Sequence, residues 1–152
     1  MESNVFNNMS VASDLTGLMA AYGERFGVDP ALIDAALASA GVSPGASSAT
    51  TGVGRMPYAQ WCAALEALYE RTGDRALGLH IAESIQPAHC GVLGYLVLSS
   101  RTLGEALAQF ERYQRLLYGG SAGQAAVDGD SLRFIWPQHT RSVGVGLSDE
   151  TL

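Results

Sequence analysis

The stretch RTLGEALAQFERYQRLLYGGSAGQAAVDGDSLRFIW, residues 101–136, changes its hydrophobic period part-way along, and this change decides the fold class. Up to Gly119 the apolar residues recur every three or four positions, which is typical of an amphipathic helix. From Gln124 onward apolar and polar residues alternate around Asp128-Gly129, a dipeptide that favours a tight hairpin turn. We therefore predict an α+β domain in which helices are followed by a small antiparallel hairpin.

The predicted helix in this stretch has a recognisable start, and a second helix precedes it. Thr102 and Glu105 form a capping box, in which the threonine hydroxyl accepts a hydrogen bond from a free amide and the glutamate reaches back. The apolar run at 92–98 lacks alternation, so we predict a short buried helix there. Three glycines are expected to allow close packing of the backbone around these helices: Gly91, Gly94 and Gly104.

Four more helices are predicted upstream, which makes about six in total. Each has apolar residues at helical spacing and a capping residue, proline or glycine at its ends, and the spans are 13–27, 29–41, 57–73 and 74–86. Residues 1–12 are predicted to be a flexible tail, and the Ser- and Gly-rich residues 42–55 an internal flexible loop. Ser148 resembles a helix cap close to the last residue, so we expect 13–152 to be one regulatory domain from a longer, truncated protein.

Composition and charge exclude several classes of protein. The chain has 152 residues, of which 47% are hydrophobic and 16% charged, which is typical of one globular domain. Its net charge is −6 and its nine basic residues, all arginine, are scattered along the sequence. We therefore expect the chain itself to bind DNA poorly. The N-terminus lacks a secretory signal and the two cysteines lie far apart, so we expect a cytoplasmic protein with reduced thiols.

Two motifs raise the possibility of other chemistry. Residues 119–123 match the G-x-S-x-G pattern around Ser121, but a helix precedes the serine and a strand follows it, which reverses the order that a hydrolase needs. His89 and Cys90 could bind a metal ion or haem, although no third ligand stands at a suitable spacing. A haem or metal sensor is therefore the alternative hypothesis and a serine hydrolase the third. We expect no catalytic residue, no metal site and no cofactor.

Aromatic and arginine side chains are concentrated near the predicted junction of helix and hairpin. Because binding pockets combine apolar walls with a few polar groups, and arginine suits a carboxylate, we predict a ligand pocket between the helix and the second strand of the hairpin. Its candidate residues are Tyr95, Arg112, Tyr113, Arg133 and Trp136. Tyr113 and Trp136 are favoured as walls, because adjacent positions on a helix or strand face different directions. The expected ligand is an amino acid or another carboxylate.

Residues 56–120 resemble the N-terminal domain of AraC/XylS-type transcription regulators, in the branch with an arabinose-binding-type domain. A consecutive series of motifs carries the resemblance: Thr72-Gly73-Asp74, Leu77-Gly78-Leu79, Gly91-Val92-Leu93-Gly94-Tyr95, Ser99, Thr102-Leu103-Gly104-Glu105-Ala106-Leu107 and Tyr113. The hairpin at 128–130 also falls where the family has one.

This resemblance implies an effector-sensing domain of a bacterial regulator that is not an enzyme. In that family the N-terminal domain senses a small molecule and often dimerises, and a C-terminal domain with two helix-turn-helix motifs binds DNA. No such motif is present in this sequence, so the resemblance implies DNA contact only through a missing domain. The family name does not imply that arabinose is the effector.

Overall fold

The computed structural model describes residues 9–43, 54–119, 123–135 and 143–151. Within these ranges the chain forms seven α-helices and two small antiparallel sheets, which confirms the predicted α+β class. The helices are α1 (Thr16–Phe26), α2 (Pro30–Ser39), α3 (Tyr58–Thr72), α4 (Leu77–Ala82), α5 (Gly91–Leu98), α6 (Leu103–Tyr113) and α7 (Val143–Thr151). The strands are β1 (Ser10–Ala12), β2 (Arg55–Pro57), β3 (Tyr118–Gly119), β4 (Gln124–Asp128) and β5 (Ser131–Ile135).

The predicted hairpin is present as the β4–β5 sheet. Asp128 pairs with Ser131, so the two residues of the turn are Gly129 and Asp130. Gly129 has a φ of 60°, in the left-handed region that glycine adopts without a steric penalty. The strand β5 ends at Ile135, and Trp136 lies outside the described residues.

The second sheet joins three segments that are far apart in the sequence, in the order β2-β1-β3. Val11, at the centre of β1, is fully buried, so the predicted tail at 1–12 overlaps the sheet at its C-terminal end. The predicted helix up to Gly119 is too long: α6 ends at Tyr113, and a 3-10 turn, Gln114–Leu116, leads into β3. Strands of two or three residues carry too little periodicity to be read from a sequence.

The core lies among α1, α3, α4 and the central strand β1. Nine of its large side chains have no exposed surface: Val11, Leu15, Leu18, Met19, Trp61, Leu65, Leu68, Leu77 and Ile81. Helix α4 is shorter than the predicted span 74–86, because it ends at Ala82 and a 3-10 turn, Pro87–Cys90, precedes α5. Of the predicted loop at 42–55, residues 44–53 lie outside the described residues, and Arg55 already belongs to β2.

Helix α7 packs against α3 and α4 and closes the core. The prediction that Ser148 caps a helix is wrong, because α7 begins at Val143 and the Ser148 hydroxyl accepts a buried hydrogen bond of 3.1 Å from the Trp61 indole. At Gly144 any side chain would overlap the backbone carbonyl of Cys62. A buried indole N–H needs an acceptor, so Ser148 stabilises the core rather than the end of a helix.

Helix α5 is present as predicted, but the prediction that it is buried is wrong. Of its eight residues only Leu93 is buried, and Val92, Tyr95 and Leu98 are 70%, 61% and 66% exposed. The helix packs against the Pro87–Cys90 turn and against α6, and its opposite face remains in solvent. An apolar run shows that a helix can pack against other segments, but it does not show how many faces of the helix are buried.

Candidate functional site

An apolar cavity of about 290 Å³ lies between α5, α6 and the Pro87–Cys90 turn. Helix α5 contributes four residues to its lining: Leu93, Gly94, Val97 and Leu98. The remaining lining residues are Phe110 of α6, Leu117, and four residues in and before the turn: Ile85, Gln86, Pro87 and Cys90. Ligand pockets range from roughly 300 to 1,000 Å³, so this cavity, at the lower limit of the range, suits a small molecule. Among the described residues that line it, none carries a formal charge.

The wall formed by α5 depends on a close backbone approach. A β-carbon at Gly94 would overlap the carbonyl group of Pro87, so only glycine lets the helix lie directly on the turn. The expectation of close packing is therefore confirmed at Gly94. It is wrong at Gly104, where an added β-carbon would reach only the Thr102 hydroxyl at 4.0 Å. Gly91 has a different role, because its φ of 55° at the start of α5 lies in the left-handed region that favours glycine.

The turn that forms the other wall is held by its own side chains. The Nδ1 atom of His89 accepts a hydrogen bond of 3.0 Å from the Gln86 amide, and the Gln86 side chain accepts one from the His89 amide. Burial lowers the pKa of His89, which favours the neutral imidazole that this contact requires. Burial also raises the pKa of the neighbouring Cys90 thiol, so the protonated thiol faces the cavity.

This arrangement bears on the haem or metal hypothesis. The Nδ1 atom of His89 already has a partner within the turn, so it is not free to coordinate a metal ion. In the part of the chain that the structure describes, no cluster of three or more His, Cys, Asp or Glu residues is arranged to hold a metal. Ser121 of the G-x-S-x-G motif lies outside the described residues, with β3 before it and β4 after it.

Four of the five predicted site residues lie within the described ranges, and none of these four lines the cavity. Tyr113 is half-buried against the core, and the guanidinium carbon of Arg112 lies 5.4 Å from the centre of its ring. Tyr95 is 61% exposed on α5, and Arg133 forms an exposed ion pair of 3.7 Å with Asp128. Trp136 lies outside the described residues. The structure therefore brings Arg112 and Tyr113 together, and a pocket that uses all five residues stays a prediction.

The residues that line the cavity were not predicted from the sequence, although the sequence contains one signal for them. The run at 92–98 is apolar on all sides, whereas a helix on a protein surface normally has one polar face. Such a run can cover the core with one face and line a cavity with another. Two residues of α5 contact both the core and the cavity. Leu93 is buried in the core, Val97 packs against it, and both residues line the cavity.

A polar cluster explains another of the sequence motifs, Thr72-Gly73-Asp74. The Asp74 carboxylate accepts hydrogen bonds from the Tyr22 hydroxyl at 3.0 Å and the Ala76 amide at 3.0 Å, and its Oδ2 lies 2.7 Å from His80 Nδ1. Burial alone would raise the pKa of Asp74, but the contacts with His80, Ala76 and Tyr22 outweigh it and lower the pKa. Burial and the contact with Asp74 raise the pKa of Tyr22 to about 12. The cluster therefore joins α1 to the start of α4.

Comparison with protein families identifies the domain. The family model described as the arabinose-binding domain of AraC transcription regulators, N-terminal, matches residues 27–148. The chain belongs to this family. The match includes the cavity and, of the polar cluster, Asp74 and His80 but not Tyr22, and it confirms the resemblance seen in the sequence.

Membership identifies the chain as a sensing domain of a transcription regulator. Comparison with curated proteins and with solved structures gave no match. In the described ranges no helix of this domain is both long enough and apolar enough to cross a membrane.

Proposed function

We propose that this chain is the effector-sensing domain of a bacterial, cytoplasmic AraC-type regulator, and that it binds a small molecule in the cavity between α5 and α6. The observation that carries the proposal is this apolar cavity, which lies inside the segment matched by the family model. Binding in the cavity controls DNA binding by a separate domain. The net charge of −6 and the scattered arginines support a DNA-contacting surface outside this chain.

A physical route connects the cavity with the C-terminal helix. Ile85 and Gln86 follow α4 closely and line the cavity, and α4 itself packs against α7. A ligand that favours one position of the Pro87–Cys90 turn would therefore bias the contact between α4 and α7. Regulation requires only that the ligand binds one arrangement more tightly than the other.

The test is a thermal-shift screen of the purified chain with amino acids, other carboxylates, sugars and fatty acids. A ligand that binds only the folded state raises the midpoint by mass action. Val97→Phe fills the cavity and should abolish this shift. Leu103→Phe is the matched control, because Leu103 lies on α6, which also lines the cavity, but is itself 72% exposed and does not line the cavity. If every ligand that stabilises the chain acts equally on both variants, the cavity is not the effector site.

The residues at the junction of helix and hairpin are proposed as a second contact surface for the effector. Arg112 and Tyr113 already lie together at the end of α6. Calorimetry with an effector from the screen should show weaker binding for Tyr113→Ala and for Trp136→Ala. Unchanged affinity in both folded variants would remove this surface from the site.

We also propose that the domain forms a homodimer through the exposed face of α5. Val92, Tyr95 and Leu98 stand three residues apart, so they form one apolar stripe on the solvent side of that helix. Exposed apolar patches of this kind mark contact surfaces. Val92→Glu should shift the chain from dimer to monomer in sedimentation equilibrium. Val127→Glu, at an 80% exposed position on the hairpin, should not.

The domain is proposed to act by binding alone, without catalysis or a cofactor. Purified protein should be colourless, free of metal in elemental analysis and unlabelled by a serine-reactive fluorophosphonate. Labelling lost in Ser121→Ala would establish the hydrolase hypothesis. A stoichiometric metal or haem lost in His89→Ala or Cys90→Ala would establish the sensor alternative.

A further inference from the structure

We infer that the cavity binds the aliphatic chain of a small amphiphile, with the polar head at the rim beside Gln86. This inference names the class of effector and rests on the proposed function of the cavity as the effector site. It is drawn from the depth, charge and size of the cavity, each of which is independent of the family match.

The cavity becomes less polar with depth. Leu93 and Leu117 are 1% and 3% exposed, so they form a buried floor with no polar side chain. Leu98 is 66% exposed and the Gln86 side chain is also exposed, so these two residues mark the rim. A ligand that enters therefore meets one amide at the rim and only apolar side chains below it.

The absence of charge among the described lining residues selects against polar ligands. A sugar would leave several hydroxyl groups without partners against the leucines of the floor, and a buried polar group without a hydrogen bond is unfavourable. A carboxylate or ammonium group in the same place would be worse, because no described lining side chain offers an opposite charge. A charged group can therefore be accommodated only at the rim, in contact with water.

Size and shape favour an aliphatic chain. The cavity volume of about 290 Å³ equals the liquid volume of about ten water molecules, so it holds a ligand body of about ten non-hydrogen atoms. Its walls are mainly branched aliphatic side chains, among them Ile85 and Val97, and Phe110 is the one aromatic ring in the described lining. A flexible alkyl chain fits such an uneven surface better than a flat ring system does.

The experiment uses calorimetry on the purified chain with straight-chain alkanols and alkanoates of increasing length, below their micelle concentrations. Affinity should rise about fourfold for each methylene group, the gain from burying one CH₂. The increase should stop at a length of about ten carbons, when the cavity is full. The alkanol and the alkanoate of equal length should differ little, because the head lies in water.

Two variants link these measurements to the cavity. Val97→Phe should abolish binding of the whole series, whereas Leu103→Phe should leave it unchanged. Phe110→Ala removes a wall side chain without adding bulk, and it should move the plateau to longer chains. Circular dichroism establishes that each variant is folded, and the shift to longer chains cannot be produced by loss of fold.

The outcomes separate this inference from the proposed function. If a sugar or an amino acid loses binding in Val97→Phe while the alkyl series never binds, the cavity is the effector site but the inferred ligand class is wrong. If the alkyl series binds equally to Val97→Phe and Leu103→Phe, it binds elsewhere and the inference is overturned. If no ligand of any class is sensitive to Val97→Phe, the inference and the proposed function both fail.

Discussion

The half of the domain built from α1, α3, α4, α7 and β1 buries most of its large apolar side chains, whereas the half built from α5, α6 and the β4–β5 hairpin leaves many of them exposed. We call these the packed half and the open half. Helix α6 has a clear apolar face, yet none of its residues is buried. In the hairpin Val127 is 80% exposed.

The difference separates the part of the domain with the buried core from the part that borders the cavity. Segments with few buried apolar contacts open at a lower free energy than the core does. Binding sites and moving elements are drawn from such segments, and the cavity lies at the border between the two halves. Binding of the proposed effector there would order the open half and act on the packed half only through the contact between α4 and α7.

The largest expected effect comes from Trp61→Ala in the packed half. Trp61 is fully buried and its indole donates to Ser148, so truncation leaves a large cavity and an unpaired hydroxyl. We expect a loss of about 3–5 kcal/mol in the free energy of unfolding, measured by urea denaturation. Leu103→Ala is the matched change in the open half, at a 72% exposed position, and should cost less than about 0.5 kcal/mol. Similar losses at the two positions would contradict the division into halves.

The next effect tests the border between the halves through two glycines. Gly94→Ala forces a methyl group into the Pro87 backbone, which cannot yield as a side-chain end would, and should destabilise the chain by about 1–3 kcal/mol. Gly104→Ala is the control on the next helix, where the space is open, and should be neutral or stabilising by up to about 1 kcal/mol. Chemical denaturation measures both. If Gly94→Ala is also neutral, α5 does not press on the turn.

A smaller effect is expected at the start of α6, within the open half. The Thr102 hydroxyl accepts a hydrogen bond of 3.1 Å from the Glu105 amide, so Thr102→Ala should cost about 1 kcal/mol in urea denaturation. Glu105→Ala should cost less, because its carboxylate accepts from the exposed Arg101 amide at 2.8 Å rather than from Thr102. An unchanged midpoint in both variants would show that α6 does not depend on this cap.

The smallest effect is a pH dependence of stability that distinguishes the Pro87–Cys90 turn, at the border between the halves, from the packed half. The folded state lowers the pKa of His89 below 6.5, so the unfolded chain binds the proton more readily and stability falls as pH drops through this region. Asp74 has its pKa lowered below 3.8, so its contribution is present above that value and is lost only in stronger acid.

His89→Asn isolates the first of these two steps. Asparagine can still accept the hydrogen bond from the Gln86 amide but does not titrate, so the loss of stability just below pH 6.5 should disappear. The acid loss below pH 3.8 should remain in this variant. Denaturation midpoints measured across the pH range give both results. A decline near pH 6 that persists in His89→Asn would assign it to another group.

Features that depend on neighbours within a few residues were predictable from the sequence. The Thr102 cap, the proline at the start of α2 and the hairpin turn after Asp128 are all present. Each is a local hydrogen-bonding or steric preference, so residue types at fixed offsets determine it. The family resemblance rests on such local motifs too, and the family model confirms it.

Tertiary structure alone decided the β2-β1-β3 sheet, the exposure of α5 and the walls of the cavity. The sheet pairs Val11 with Met56 and with Tyr118, and no periodic signal marks two- or three-residue strands so far apart. The cavity likewise gathers side chains from α5, α6 and the Pro87–Cys90 turn. By itself the sequence determined that α1 to α6 are helical and that α5 is apolar, whereas the start of α7 at Val143 was not predicted. Which surface of α5 meets a neighbour depends on the packing of distant segments, because hydrophobic burial has no preferred direction or partner.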